Sequence, residues 1–241
     1  MATHPLAHHA LAFSRLRGRA PRVHAITSPV AAERTANTLL ALGAIPTLTV
    51  NPEEIAAFVT GADAVLVNLG MMDPLRMEAA GRAFVEARTR KRPLVLDPVF
   101  TNLSGPRGAF ARDLLTFRPT VLKANTSESE LAALVPPDTV TVTTGAIDVV
   151  RANGQTMKVH NGHPLAAQVT AMGCALGAVI AALLVVEENA MLAAATALLA
   201  YGIAGERAGA RSAGPGSFAV AFLDELAALH PADIERHGKL V

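Results

Sequence analysis

A chain of 241 residues with 51% hydrophobic and only 17% charged residues has enough apolar surface for a large core, which excludes intrinsic disorder. Aromatics are 4%, with no Trp and one Tyr, so the core must be built from Ala, Leu and Val; that suits a parallel sheet under closely packed helices and argues against a β-sandwich. A formal charge of +1 gives no long-range field for nucleic acid or an anionic membrane, and points instead to a small ligand.

Residues 1–241 read as a single α/β domain. The stretch Met1 to Arg22 mixes His4, His8, His9 and arginines with short apolar pieces and lacks the continuous apolar run of a signal peptide. One cysteine, Cys174, excludes an intrachain disulfide, and no Cys-x-x-Cys or His-Glu-x-x-His set points to zinc, so a reducing cytoplasm is expected. Apolar runs at Val23–Thr27, Pro46–Val50, Ala64–Gly70, Pro93–Val99, Thr120–Asn125 and Val140–Thr144 predict buried strands. Between them, helical spacing recurs at Val30–Leu42, Pro52–Val59, Pro74–Lys91, Ala109–Phe117 and Ser127–Leu134, with Asp73 as a cap before Pro74. This alternation predicts parallel pairing through right-handed crossovers. Asp148–Asn153 and Thr156–His160 around Gly154 read as a hairpin, and the rest of the chain as helix. Its two most apolar stretches, Ala171–Val186 and Ala190 to about Ala204, fall short of the roughly 20 residues that cross a bilayer.

In open parallel sheets the ligand lies beyond the carboxyl ends of the strands, which here carry Asn68, Gly70, Asp97, Asn125, Glu128 and Thr144-Gly145. A lone Asp or Asn at such a position is more often a helix cap than a catalytic group, so it is their concurrence that matters. Val169-Thr170-Ala171-Met172-Gly173-Cys174 enters a long apolar helix whose first amides and dipole favour a phosphate or a developing negative charge. The same place would lower the pKa of Cys174; the competing reading is a packed, inert thiol. Neither a Gly-x-Gly-x-x-Gly turn nor a P-loop occurs, which argues against dinucleotide dehydrogenases and P-loop enzymes. Arg88, Arg90, Lys91 and Arg92 form a basic cluster at a helix end, read as solvated charge complementing the helix dipole.

An ordered series of motifs then carries a family resemblance. His24-Ala25-Ile26-Thr27, Thr35-Ala36-Asn37, Leu39 to Ala44, Asn68-Leu69-Gly70, Leu96-Asp97-Pro98-Val99 and Asn125 with Glu128 make up its first half. Thr144-Gly145, Asn161-Gly162-His163-Pro164-Leu165, Val169-Thr170 with Gly173-Cys174, Tyr201 to Ala204 and Gly214 to Phe218 complete it. Together they resemble the hydroxyethylthiazole kinases over nearly the whole chain. The resemblance implies a ribokinase-like α/β fold, with a mostly parallel central sheet and helices on both faces. It implies transfer of the γ-phosphoryl of ATP, with Mg²⁺, to the primary alcohol of 4-methyl-5-(2-hydroxyethyl)thiazole in thiamine biosynthesis or salvage, by a cytoplasmic homotrimer. Carried over by position, Cys174 matches the catalytic cysteine; Leu48, Gly70 and Ala171 fall at substrate positions; Lys123, Asn125, Thr144 and Gly173 fall at ATP positions; and Asp97 and Glu128 would hold Mg²⁺ or its waters.

The chain departs from that family at several of these places. Ala171-Met172 replaces Gly-Thr or Gly-Ala, which costs free energy if position 171 needs φ > 0. Phe100-Thr101-Asn102 replaces glycine-rich residues, Ser28 and Pro29 replace asparagines, Lys123 replaces an arginine fork, and the segment between Glu128 and Thr144 is short. Two further readings therefore stay open: a homologue that binds a small metabolite without phosphoryl transfer, and a kinase for another small alcohol.

Overall fold

The computed structural model describes residues 4–241, apart from the side chain of Ser129; Met1–Thr3 of the amino-terminal reading lie outside the described residues. Its elements in chain order are α1 (Ala7–Arg19), β1 (Arg22–Ile26), α2 (Pro29–Ala41), β2 (Ile45–Leu48), α3 (Ile55–Gly61), β3 (Ala64–Asn68), α4 (Pro74–Thr89), β4 (Leu94–Asp97), α5 (Gly105–Leu115) and β5 (Val121–Asn125). A 3-10 run at Thr126–Leu134, β6 (Val140–Thr144), the hairpin β7 (Asp148–Ala152) and β8 (Gln155–Val159), a short 3-10 turn at Pro164–Gln168, α6 (Met172–Leu183), α7 (Ala190–Ala210), α8 (Pro215–Ala228) and α9 (Pro231–His237) follow.

The eight strands form one sheet in the order β2-β1-β3-β4-β5-β6-β7-β8. Pairs from β2 to β6 are parallel and the last two are antiparallel. Because side chains alternate across a strand and both faces are covered, the central strands are apolar throughout. Thus Ala64, Leu66, Val95, Val121 and Val142 pack against α1, α2 and α6–α9, while Val65, Val67, Leu94, Leu96 and Leu122 pack against α3, α4 and α5. With so few aromatics, close approach replaces bulk: α6 and α7 are fully buried along most of their length through Ala and Gly.

The six strands and the hairpin appear within a few residues of the expected bounds, and Asp73 caps α4 by accepting the Arg76 amide at 2.8 Å. Asn153 and Gly154, both at positive φ, make the tight hairpin turn. Three elements differ. Helix α1 has no counterpart in the sequence reading; its charged residues masked Ala12, Phe13 and Leu16, which are buried against α7 and α9. Ser127–Leu134 is 3-10 rather than α-helix, and Ser104, accepting from the Arg107 amide, starts α5 earlier than the expected Ala109. No helix among the described residues is long and apolar enough to cross a membrane.

His24, on β1, is wholly buried between Thr47, whose Oγ1 lies 3.1 Å from Nδ1, and the ring of Phe58. Burial pushes its pKa down to about 4 against the opposing pull of Thr47. Between about pH 4 and the ordinary value of 6.5 the unfolded chain holds a proton that the folded chain does not, so stability rises with pH across this window. The contribution is complete above pH 6.5 and is lost as pH falls to 4, about 3 kcal/mol in all. His9 is shifted in the same direction, whereas Asp148, raised to about 6 by burial, acts in the opposite sense below that pH. His24→Gln should flatten the pH dependence of urea unfolding between pH 4 and 6.5 relative to the parent; parallel curves for the two proteins would contradict this assignment.

Candidate active site

Strand order reverses at β1 and β3, where neighbouring crossovers leave in opposite directions and open a crevice. The residues following these strands meet there: a Cβ built on Gly70 would lie 3.5 Å from Ser28 Cβ and 2.9 Å from Asn68 Oδ1. Only glycine leaves Asn68 free to accept the Gly70 amide at 3.0 Å. The Asn68 amide nitrogen in turn donates to Asp97 Oδ2 at 2.8 Å, across a parallel pair in which Asn68 and Asp97 stand side by side.

Asp97 is the centre of the polar cluster. It is 2% exposed, and Lys123, 4% exposed on β5, donates to the same Oδ2 at 3.1 Å. Burial lifts the Asp97 carboxyl above its ordinary range, with Lys123 and Asn68 pulling against it. Burial alone would push Lys123 down, but Asp97 overrides it and holds the ammonium above its usual value. The Lys123 ammonium also lies beneath the start of α6, 3.8 Å from where a Cβ on Gly173 would stand.

That helix starts without a side-chain cap. Ala171 occupies the N-cap position at φ 66, in the left-handed region, and the first backbone bond of the helix is Ala175 N–H to Ala171 O at 2.9 Å. The amides of Met172, Gly173 and Cys174 are thus the unsatisfied donors that a helix N-terminus presents to an anion. Tyr201 fixes this turn from below, donating from its hydroxyl to Met172 O at 2.8 Å; burial drives its pKa far up, so it remains a donor. A Cβ at Gly202 would fall 2.6 Å from Asn161, so glycine there lets α7 approach the Asn161-Gly162-His163 segment.

Cys174 is half-buried, and its thiol is raised rather than lowered: burial and the Asp97 carboxylate outweigh Lys123 and an Asn68 hydrogen bond. Of the two readings open for Cys174, the raised pKa favours the packed thiol over the thiolate. Asn125 begins the 3-10 run with a capping box, its Oδ1 accepting from the Ser127 and Glu128 amides while Glu128 Oε2 accepts from the Asn125 amide at 3.0 Å. Glu128 Oε1 accepts the Phe100 amide at 2.6 Å and Arg107 donates to Val99 O at 2.7 Å. Those two bonds hold Val99 and Phe100 at positive φ without glycine.

Among the described residues no group of three or more His, Cys, Asp or Glu side chains could hold a metal ion unaided. The donors available are Asp97, with only Oδ2 engaged by Lys123 and Asn68, and Glu128, whose oxygens each accept a single amide. Two hard carboxylates suit Mg²⁺, which keeps several waters and takes its remaining ligands from phosphate oxygens.

Thr144 and Gly145 end β6 beside a cavity of about 550 Å³ bounded by Asp148, His163, Gly173, Tyr201 and Phe222. Asp148, which the sequence reading left as the first hairpin residue, accepts the Gly145 amide at 3.0 Å, and burial raises it to about 6. Its signal was its place directly after the Thr144-Gly145 turn. Leu48 stands apart: it ends the edge strand β2, separated from β3 by β1, and packs on the core.

This arrangement coincides with a family match. The model of the hydroxyethylthiazole kinase family matches residues 13–137 and 132–232. The chain belongs to the hydroxyethylthiazole kinase family. A probable hydroxyethylthiazole kinase of Agrobacterium fabrum is 40% identical over 226 residues, covering 94% of this chain and 92% of its own. The hydroxyethylthiazole kinase of Kineococcus radiotolerans is also 40% identical, over 100% of this chain and 98% of its own. The structure of the hydroxyethylthiazole kinase protein of Pyrococcus horikoshii superposes with a TM-score of 0.91 at 33% identity, covering 97% of this chain and 98% of that one. A ribokinase-like superfamily protein of Enterococcus faecalis, at 13% identity and a TM-score of 0.65, shares the fold. The two matched stretches of the family model meet at residues 132–137, inside the short segment that joins β5 to β6 here. Pairing from Val121↔Val140 to Asn125↔Thr144 is nonetheless complete, so the shortening leaves the sheet intact.

The left-handed Ala171 costs about 1 kcal/mol relative to glycine. Ala171→Gly should therefore raise the thermal midpoint by about 2–4 °C; a variant no more stable than the parent would show that the strain is absent.

Proposed function

We propose that this chain is a single-domain kinase that transfers the γ-phosphoryl group of ATP to the primary alcohol of 4-methyl-5-(2-hydroxyethyl)thiazole, serving thiamine biosynthesis or salvage. The observation that carries this reading is the uncapped start of α6 lying directly over the buried Lys123–Asp97 pair, in a chain of this family.

Phosphoryl transfer asks a protein mainly to position the partners and to neutralise charge on the moving group. In this reading the amides of Met172 and Gly173 bind the phosphate oxygens, and Lys123 adds a fixed positive charge from below. Gly173 and Thr144 border the 550 Å³ cavity, which takes the nucleoside, with Asn125 at the neighbouring strand end. Asp97 and Glu128 would hold Mg²⁺, which would supply further neutralisation of the phosphates. The crevice beside Gly70 and Ser28 receives the alcohol, with Ala171 and Leu48 assigned to the substrate by family resemblance alone.

Cys174, as a thiol, orients the hydroxyl rather than removing its proton. A loose transition state makes little demand on a base before the new bond forms. The proposal also includes assembly as a homotrimer and a cytoplasmic location, both supported by family resemblance. Ligand binding without transfer remains the rival reading, favoured by the commitment of Lys123 to Asp97.

Purified protein with Mg-ATP should release ADP only when the thiazole alcohol is present, with the phosphorylated alcohol visible by mass. Cys174→Ala should lower kcat by about 10- to 100-fold, as expected when an oriented group is displaced. Thermal stabilisation by the alcohol without ADP release would support the rival reading, and release with a different alcohol would reassign the substrate.

A further inference from the structure

At the opposite end of the sheet, where β4 and β5 begin, a crevice of about 570 Å³ is lined by Arg88, Lys91, Arg92 and Arg118. Three carboxylates share it, and two are already committed. Asp138 accepts from Arg118 at 2.8 Å, and Glu187 accepts the Asn189 amide at 3.0 Å while facing Arg15 at 3.9 Å. Asp138 also acts on Arg88, and Glu188 faces the rest, so the lining holds four cations against three carboxylates.

Arg88 and Lys91 are exposed and Arg92 is partly buried, and the protein itself engages few of their donors. Arg88 spends Nη1 on the Phe117 carbonyl at 3.1 Å, and Arg92 Nε is buried with no hydrogen-bond partner among the described residues. Lys91 forms no ion pair among them.

Two left-handed helix ends shape the crevice. Lys91 and Arg118 hold φ of 53 and 56, and each lies one or two residues before the proline that leads into its strand. Arg92 N–H to Ala87 O at 2.8 Å and Arg118 N–H to Leu115 O at 2.9 Å close the two turns. Glycine would make either turn without strain, so closing the helices does not require a long cationic side chain at these positions.

We propose that this crevice binds a small phosphate-bearing anion, at a site distinct from the one at the carboxyl ends of the strands. The basic cluster is then a binding surface, beyond its expected role of complementing the helix dipole. Inorganic pyrophosphate and a phosphorylated metabolite share the chemistry that Arg88, Lys91 and Arg92 would recognise.

Calorimetric titration of the full chain with inorganic pyrophosphate tests this against the double variant Lys91→Gly/Arg92→Gln. Glycine relieves the left-handed strain, so the variant should melt no lower than the parent in the absence of anion. Its alcohol-dependent ADP release should match the parent's, which separates this test from that of the kinase reading. The variant should bind one fewer pyrophosphate per chain, or bind the same one at least tenfold more weakly. Repeating the titration with the phosphorylated thiazole alcohol identifies the source: loss of a site for this probe alone would assign the crevice to phosphorylated product. Equal stoichiometry and affinity in parent and variant for both probes would overturn the proposal.

Discussion

The site is organised by one buried ion pair. Asp97 and Lys123 lie on adjacent strands, both almost wholly removed from solvent, and neither charge could remain there alone. Desolvating each costs several kcal/mol, repaid only by close geometry and further hydrogen bonds. Asn68 provides one such bond from the next strand, and its own carbonyl is satisfied by the Gly70 amide. The pair thereby ties together the carboxyl ends of β3, β4 and β5 and sets a fixed cation under the start of α6.

The helix above turns its own positive end toward that cation, so the two together favour a bound anion. Its first amides have no side-chain cap, and its N-cap is an alanine in a conformation suited to glycine. What holds the turn is buried structure behind it: the Tyr201 hydroxyl on Met172 O and close packing of α7, permitted by Gly202. Left-handed backbone at Ala171, Val99 and Phe100 lies beside the site, and bonds to Glu128 and Arg107 restrain the last two.

Much of this was legible in the sequence because short continuous apolar runs, buried on both faces, leave little choice but a covered parallel sheet. The strand-end residues Asp97, Asn125, Glu128 and Thr144 were visible because topology places ligands there, and the conditional cost of Ala171 was readable from the replaced glycine. What was hidden depended on tertiary neighbours. Lys123 could be assigned toward nucleotide by resemblance, but not its engagement with Asp97, since 26 residues separate the two in sequence. The sequence left Cys174 between a lowered pKa and a packed thiol, and only the tertiary burial beside Asp97 decides for the thiol. Helix α1 escaped because its buried His9, Phe13 and Leu16 are spaced among His8, Arg15 and Arg19, which face outward.

The dependence of the site on the Asp97–Lys123 pair is tested most directly by a double-mutant cycle of Asp97→Asn and Lys123→Met, read by urea unfolding. Each single change leaves one buried charge uncompensated and should cost about 3–5 kcal/mol, while the double variant, with neither charge, should lose clearly less than the sum. Losses that add to within about 0.5 kcal/mol would contradict the account, because the two groups would then not stabilise each other.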